Sequence, residues 1–340
     1  MWRMIMRWMH GYREKILKDC LDLLSVYAHD TQARAKFLKL TAEQRYKFRG
    51  YDLAEELYSR YAAQSRLGMD VKRFEGMCLR MNTELHKAQA LVLSKERKPG
   101  LQVQEDAAEG WVYCYVNPKH RRSSAYRVYL DIAVPLFSHF IEDFLERLFK
   151  QQFHCPHCGS PSAGLDGSSE IVCATCGYRE FVFSFKFLLS HGPMEAYQPF
   201  LDAGLRRDKV ILYFGDKYTL YAVIKLLEHM PREYFANATM PFCHTVFPGV
   251  AFVKNPGERE TAIYRKITQK LATKISLGQY ITSLLARSIL KIVEEYGETW
   301  TALSDERKLT HIRERLVHEL LANPEFEELA TDIESVLVIG

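Results

Sequence analysis

Two Cys-x-x-Cys pairs, Cys155/Cys158 and Cys173/Cys176, constrain this chain more than any other feature. Two thiolates at that spacing fit on one tight turn, and four soft thiolates suit tetrahedral Zn²⁺. Gly159 and Gly177 each follow the second cysteine of a pair, where a knuckle needs a residue free to take positive φ. The stretch 159–172 is rich in Gly, Ser and Pro, as the loop of a zinc ribbon should be. Four cysteines fill the coordination shell, so the expected zinc is structural; a catalytic zinc keeps an open position. His154 and His157 are then expected outside that shell. The competing reading is a pair of disulfides or a redox dithiol. Against it, Cys20, Cys78, Cys114 and Cys243 are scattered singly, which suits a reducing compartment and a cytoplasmic setting.

The remaining chain reads as α+β: a helical N-terminal part, then a mixed β-sheet flanked by helices, with the zinc ribbon inserted. Residues 1–100 form the helical region. Residues 111–340 form the mixed-sheet domain, and 153–180 the insertion within it. Ile16, Leu17, Cys20, Leu21 and Leu24 recur at helical spacing, as do Leu53, Leu57, Tyr58 and Tyr61. The segment "KERKPGLQVQEDAAEG" carries Pro, Gly and charge, and is expected to be a linker or exposed loop. "WVYCYVN", "YRVYLDI", "FVFSFKFLLS" and "DKVILYFG" are apolar and β-branched or aromatic, and predict strands. "VPLFSHFIEDFLERLFKQQ" predicts an amphipathic helix with Phe137, Phe140, Ile141, Phe144, Leu145 and Leu148 on its buried side. No apolar run is long enough to span a membrane.

The net charge of +4 over 340 residues is a weak electrostatic footprint. Within 153–180 the only Lys or Arg is Arg179, so nucleic acid is the weaker choice of partner. The basic loop with Lys119, His120, Arg121 and Arg122 reads as a solvated loop or as a guide for an anionic peptide. There is no P-loop, no Gly-x-Gly-x-x-Gly after a strand, no Gly-x-Ser-x-Gly and no His-Glu-x-x-His. No nucleotide cofactor is expected.

With residues 154–180 set aside, the order of motifs resembles the HopA-type family of type III secreted effectors. The residues that carry the likeness are Tyr129 with Asp131, Phe185 with Lys186, Arg207-Asp208 ahead of "ILY", Pro248-Gly249 with Pro256-Gly257, and Arg265. "TAIYR" stands where the family has Ser-Phe-Gly before the helical arginine, and the cysteine module is an insertion. Some relatives are lyases of ribosomal-peptide biosynthesis, as in class V lanthipeptides and thioamitides, and eliminate phosphate from phosphoserine or phosphothreonine. The resemblance therefore implies a phosphate-eliminating lyase acting on a phosphorylated peptide or protein, with secretion into a host cell as one destination.

That reaction needs a base for a weakly acidic Cα proton, cations for the phosphate and an acid for the leaving group. Lys186 is the candidate base, and Tyr213 and His191 complete the catalytic candidates. Tyr213, within the apolar "VILYF" run, also suits a core position, and His244 is a further candidate acid. Arg207, Arg265 and Arg127 are the candidate phosphate ligands, since guanidinium forks match phosphate oxygens. By strand alternation Phe183, Phe185 and Phe187 share one face, and Ser184, Lys186 and Leu188 the other. The bland alternatives are an edge-strand lysine and solvated arginines. A non-catalytic module that docks a partner protein through its zinc knuckle remains the alternative function.

Overall fold

The computed structural model describes residues 2–47, 50–62, 69–95, 101–108, 110–116, 124–149, 155, 157–160, 163–165, 171–178, 183–190 and 205–321. In chain order the elements are α1 (Trp2–His29), α2 (Thr31–Lys47), α3 (Gly50–Ala62), α4 (Val71–Lys95), β1 (Leu101–Asp106), β2 (Trp111–Val116) and β3 (Tyr126–Leu130). Then come α5 (Phe137–Phe149), β4 (Ala163–Leu165), β5 (Ile171–Cys173), β6 (Phe183–Leu188), β7 (Val210–Phe214) and α6 (Lys217–Glu228). Last are β8 (His244–Phe247), β9 (Val250–Lys254), α7 (Glu258–Thr268), α8 (Leu277–Tyr296), α9 (Thr299–Ala302) and α10 (Asp305–Leu321). The class is α+β, as the sequence predicts.

The chain groups into two compact units. One joins residues 1–68 to 254–340, and the other is 69–253. In the first, the early helices α2 and α3 pack on the late helix α8. Gly278 of α8 is what lets α3 approach: a Cβ there would lie 2.3 Å from the Tyr61 ring.

The second unit holds the sheet, with strand order β1-β2-β6-β7-β3-β9-β8. The β1–β2, β2–β6, β6–β7, β7–β3 and β8–β9 ladders are antiparallel. One face of its central strands is apolar. Val112, Cys114, Phe185, Phe187, Leu212, Phe214 and Val128 are fully buried there, beneath α5. The six predicted α5 residues, Phe137, Phe140, Ile141, Phe144, Leu145 and Leu148, are all at 0% exposure. Phe144 meets Phe183 and Phe185 edge-on at 6.3 and 5.7 Å. Each such side chain contributes about 2–3 kcal/mol by leaving water.

One segment departs from the sequence reading. Residues 101–106, expected in a linker, form edge strand β1. Leu101 and Val103 point inward while Gln102 and Gln104 stay exposed, so the period of two outweighs the Pro-Gly ahead of it.

Glu84 of α4 fixes the start of α5. Its carboxylate accepts from the Ser138 hydroxyl and from the Ser138 amide at 3.2 Å, at the positive end of the helix dipole. Burial pulls the Glu84 carboxyl upward. The Lys87 ammonium at 2.6 Å and the two Ser138 donors outweigh that pull and hold it below its usual range. A depressed carboxyl adds stability above its unfolded pKa of about 4.3 and loses it as pH falls through the folded value. Glu84→Gln should therefore cost about 2 kcal/mol at pH 7. Urea titrations from pH 7 to pH 3 should show the gap to wild type closing as the pH drops.

Candidate functional site

The face of the sheet opposite α5 carries most of the described candidate residues. Burial of Phe183, Phe185 and Phe187 obliges Ser184 and Lys186 to point the other way, where both are half-buried. On β2 the same alternation turns Trp111, Tyr113 and Tyr115 to this face, again half-buried. The register sets Lys186 opposite Tyr113 on one side and Ile211 on the other. It also sets Tyr213 between Ser184 and Arg127. Lys186 Nζ lies 3.9 Å from the centre of the Trp111 ring and 5.3 Å from that of Tyr113. The Arg127 guanidinium sits 5.2 Å over the Tyr213 ring. Tyr113 and Tyr115 stack nearly parallel, with centroids 6.3 Å apart.

At the start of β7 this face meets a charged cluster. Lys209 donates to the Asp131 carboxylate, and both side chains are almost wholly buried. Lys209 also donates to the Arg206 carbonyl at 2.7 Å. Arg206 forms a two-pronged bond with Asp208, both contacts at 2.8 Å, and its guanidinium lies 5.5 Å from the Trp111 ring. Burial raises the Asp131 carboxyl above its usual range, against the opposing pull of Lys209 and Arg207. Trp111 is thus flanked by two cations, Lys186 and Arg206.

Of the residues singled out in the sequence, Lys186, Tyr213 and Arg127 share one sheet face on three adjacent strands. Arg207 is half-buried just before β7, within electrostatic range of Asp131. Arg265 lies on α7 in the other unit, exposed, with its Nε donating to the Ala272 carbonyl. His244 packs edge-on against Phe252. His191, His154 and the loop 119–122 lie outside the described residues. Trp111, Arg206 and Lys209 were not singled out. Their nearness to Lys186 and Asp131 follows from the strand pairing and the turn before β7, neither of which can be read from the residues alone.

The four cysteines of the two pairs form a second site. Their Sγ atoms all lie within 4.8 Å of one another and could hold a metal ion. Cys155 and Cys176 are 3.7 Å apart, and Cys158 and Cys173 3.6 Å. A tetrahedron with metal–sulfur bonds of about 2.3 Å has edges of about 3.8 Å, whereas a disulfide would need about 2.05 Å. The two knuckles repeat one geometry. Cys155 N donates to Ser160 O and Cys173 N to Tyr178 O, while Gly159 and Gly177 adopt φ of +70° and +72°. Burial opposes the thiolate of Cys173, yet the backbone N–H groups of Cys176 and Thr175 bring it down to about 6. His157 is exposed and stacks on Tyr178 at 5.8 Å, away from ligand duty.

No family model and no curated protein matches the chain. Among solved structures, an effector protein from Pseudomonas syringae pv. syringae strain 61 aligns over 83% of this chain and 92% of its own, at 12% identity and a TM-score of 0.36. An effector protein from Pseudomonas syringae pv. tomato strain DC3000 aligns over 82% and 91%, at 10% identity and a TM-score of 0.37. The likeness is distant. Among the described residues, no helix is long and apolar enough to cross a membrane.

Two outcomes are expected. Elemental analysis of the purified protein should give one bound metal ion per chain, and Cys173→Ser should lose it. Lys209→Met should cost about 3–5 kcal/mol, because it strands a buried carboxylate, and adding Asp131→Leu should recover most of that loss in denaturant titrations.

Proposed function

We propose that the chain is a lyase that eliminates phosphate from a phosphoserine or phosphothreonine of a peptide or protein, and that the sheet face around Lys186 is its binding site. The supporting observation is the grouping of Lys186, Arg127 and Tyr213 on adjacent strands, with Arg207 at the end of the same sheet. Cations on a half-buried, aromatic-lined surface bind a phosphate more strongly than they would in open water. Arg127 and Arg207 hold the phosphate, and Lys186, beside the Trp111 ring, is the base. Its amine takes the Cα proton. The Cβ–O bond then breaks, its electron pair leaves on the phosphate, and a Cα=Cβ double bond forms. Tyr213 supplies a proton to the departing oxygen.

Incubation with phosphoserine peptides should release inorganic phosphate and leave dehydroalanine, read by mass spectrometry. Lys186→Ala should reduce the rate at least about a hundredfold. Lys186→Arg should retain peptide binding without elimination. Turnover unchanged in Lys186→Ala would sink the mechanism.

A second reading rests on the four-cysteine cluster. There the metal is zinc, it supplies the folding energy of a module whose described strands, β4 and β5, are three residues each, and the module docks a partner protein. Phosphopeptide turnover unaffected by loss of the metal would leave docking as the knuckle's role. Both readings suit a reducing cell interior, bacterial or host, since Cys20, Cys78, Cys114 and Cys243 are scattered singly and buried.

A further inference from the structure

We infer that Tyr113 and Tyr115 form a specificity strip, which selects peptides with an aromatic side chain two residues from the phosphorylated residue and on one side of it only. The inference rests on the phosphopeptide reading of the same face.

The spacing comes from the strand itself. Residues i and i+2 of an extended chain stand about 6.7 Å apart on one face. The Tyr113 and Tyr115 rings follow that repeat at 6.3 Å and lie within 8° of parallel. Lys186 Nζ, which meets the phosphorylated residue at its Cα, leans toward Trp111 and so sits at the other end of the row. An extended peptide lying along β2 with its phosphorylated residue at Lys186 presents its next same-side residue one repeat further along, over Tyr113 and Tyr115.

The surroundings favour a ring there. On the β1 side the neighbours are the exposed amides of Gln104, opposite Tyr113, and Gln102, opposite Tyr115. On the β6 side, Tyr115 faces the small Ser184. The strip is therefore an aromatic row with polar side chains on both borders. In the other direction a peptide meets Trp111, already flanked by Lys186 and Arg206, and then the Arg206–Asp208 pair. Both cations there already lie near Trp111, and Arg206 is held by Asp208 as well, so an incoming ring finds them engaged. The asymmetry is what makes the preference one-sided.

The test is a scan of phosphoserine peptides in an alanine background, with a single phenylalanine moved from three residues before the phosphosite to three after it. Binding is followed by fluorescence anisotropy. Phenylalanine at one of the two positions two residues away should tighten binding about three- to tenfold, with no gain at its mirror position. Tyr115→Ala should bring the ratio of phenylalanine peptide to alanine peptide back toward one, and Tyr115→Phe should keep it. A flat scan, or a preference that survives Tyr115→Ala, overturns the strip and leaves the lyase reading standing. Failure to bind any phosphopeptide overturns both, and so does tight binding of a single-stranded oligonucleotide that phosphopeptides cannot displace.

Discussion

The need to bury three phenylalanines on β6 sets the position of the candidate residues in the sheet. Phe183, Phe185 and Phe187 lie under α5, and a strand cannot bury alternate residues without turning the others away. A slip of one residue would bring Lys186 under the helix and put the rings in water. The register is therefore held by several kcal/mol of apolar burial, and Lys186, Tyr213 and Arg127 inherit their common face from it. Chemistry at this surface depends on packing on the other side of the sheet, where none of the candidate residues sits.

The Lys209–Asp131 pair works in the opposite sense. Two buried charges contribute little net stability, since desolvation consumes most of their attraction. What they do is hold geometry. Asp131 continues β3 past Leu130, and Lys209 precedes Val210, the residue paired with Leu130. Their bond closes the end of the β3–β7 ladder, and the second Lys209 bond, to the Arg206 carbonyl, sets the path of the turn that presents Arg206 and Arg207. Elsewhere Gly249 has a similar role without charge. At φ +81° it passes so close to Ala236 that a Cβ would sit 2.5 Å from that carbonyl oxygen.

Much of this was legible in the residues, and the reasons for the rest are physical. The α5 face and the alternation along β6 are local periodicities, and both stand as written in the sequence. The cysteine cluster follows from spacing alone. The strand Leu101–Asp106 was hidden because the Pro-Gly before it and the charges after it resemble a linker, while its alternation spans just "LQVQ". Arg265 was grouped with Lys186 on the order of motifs along the chain, and that order says nothing about distance in space. The packing of α3 on α8, over two hundred residues away, is non-local in the same way. Trp111 illustrates the limit best: it reads as one more aromatic in a strand until the β2–β6 register sets it beside Lys186.

The two sites differ in what they demand of the chain. The cysteine knuckle is self-contained in sequence: its four thiols, which could hold a metal ion, lie within 22 residues, and its turns repeat one backbone pattern. The Lys186 face has no such independence. Its side chains come from β2, β3, β6 and β7, strands whose spatial order differs from their chain order, so it exists only when the whole sheet is paired. A surface that costs an entire fold to assemble, and that turns cations and aromatic rings outward where polar side chains would suffice, is the stronger claim to a chemical role. The knuckle is the part better suited to hold something in place.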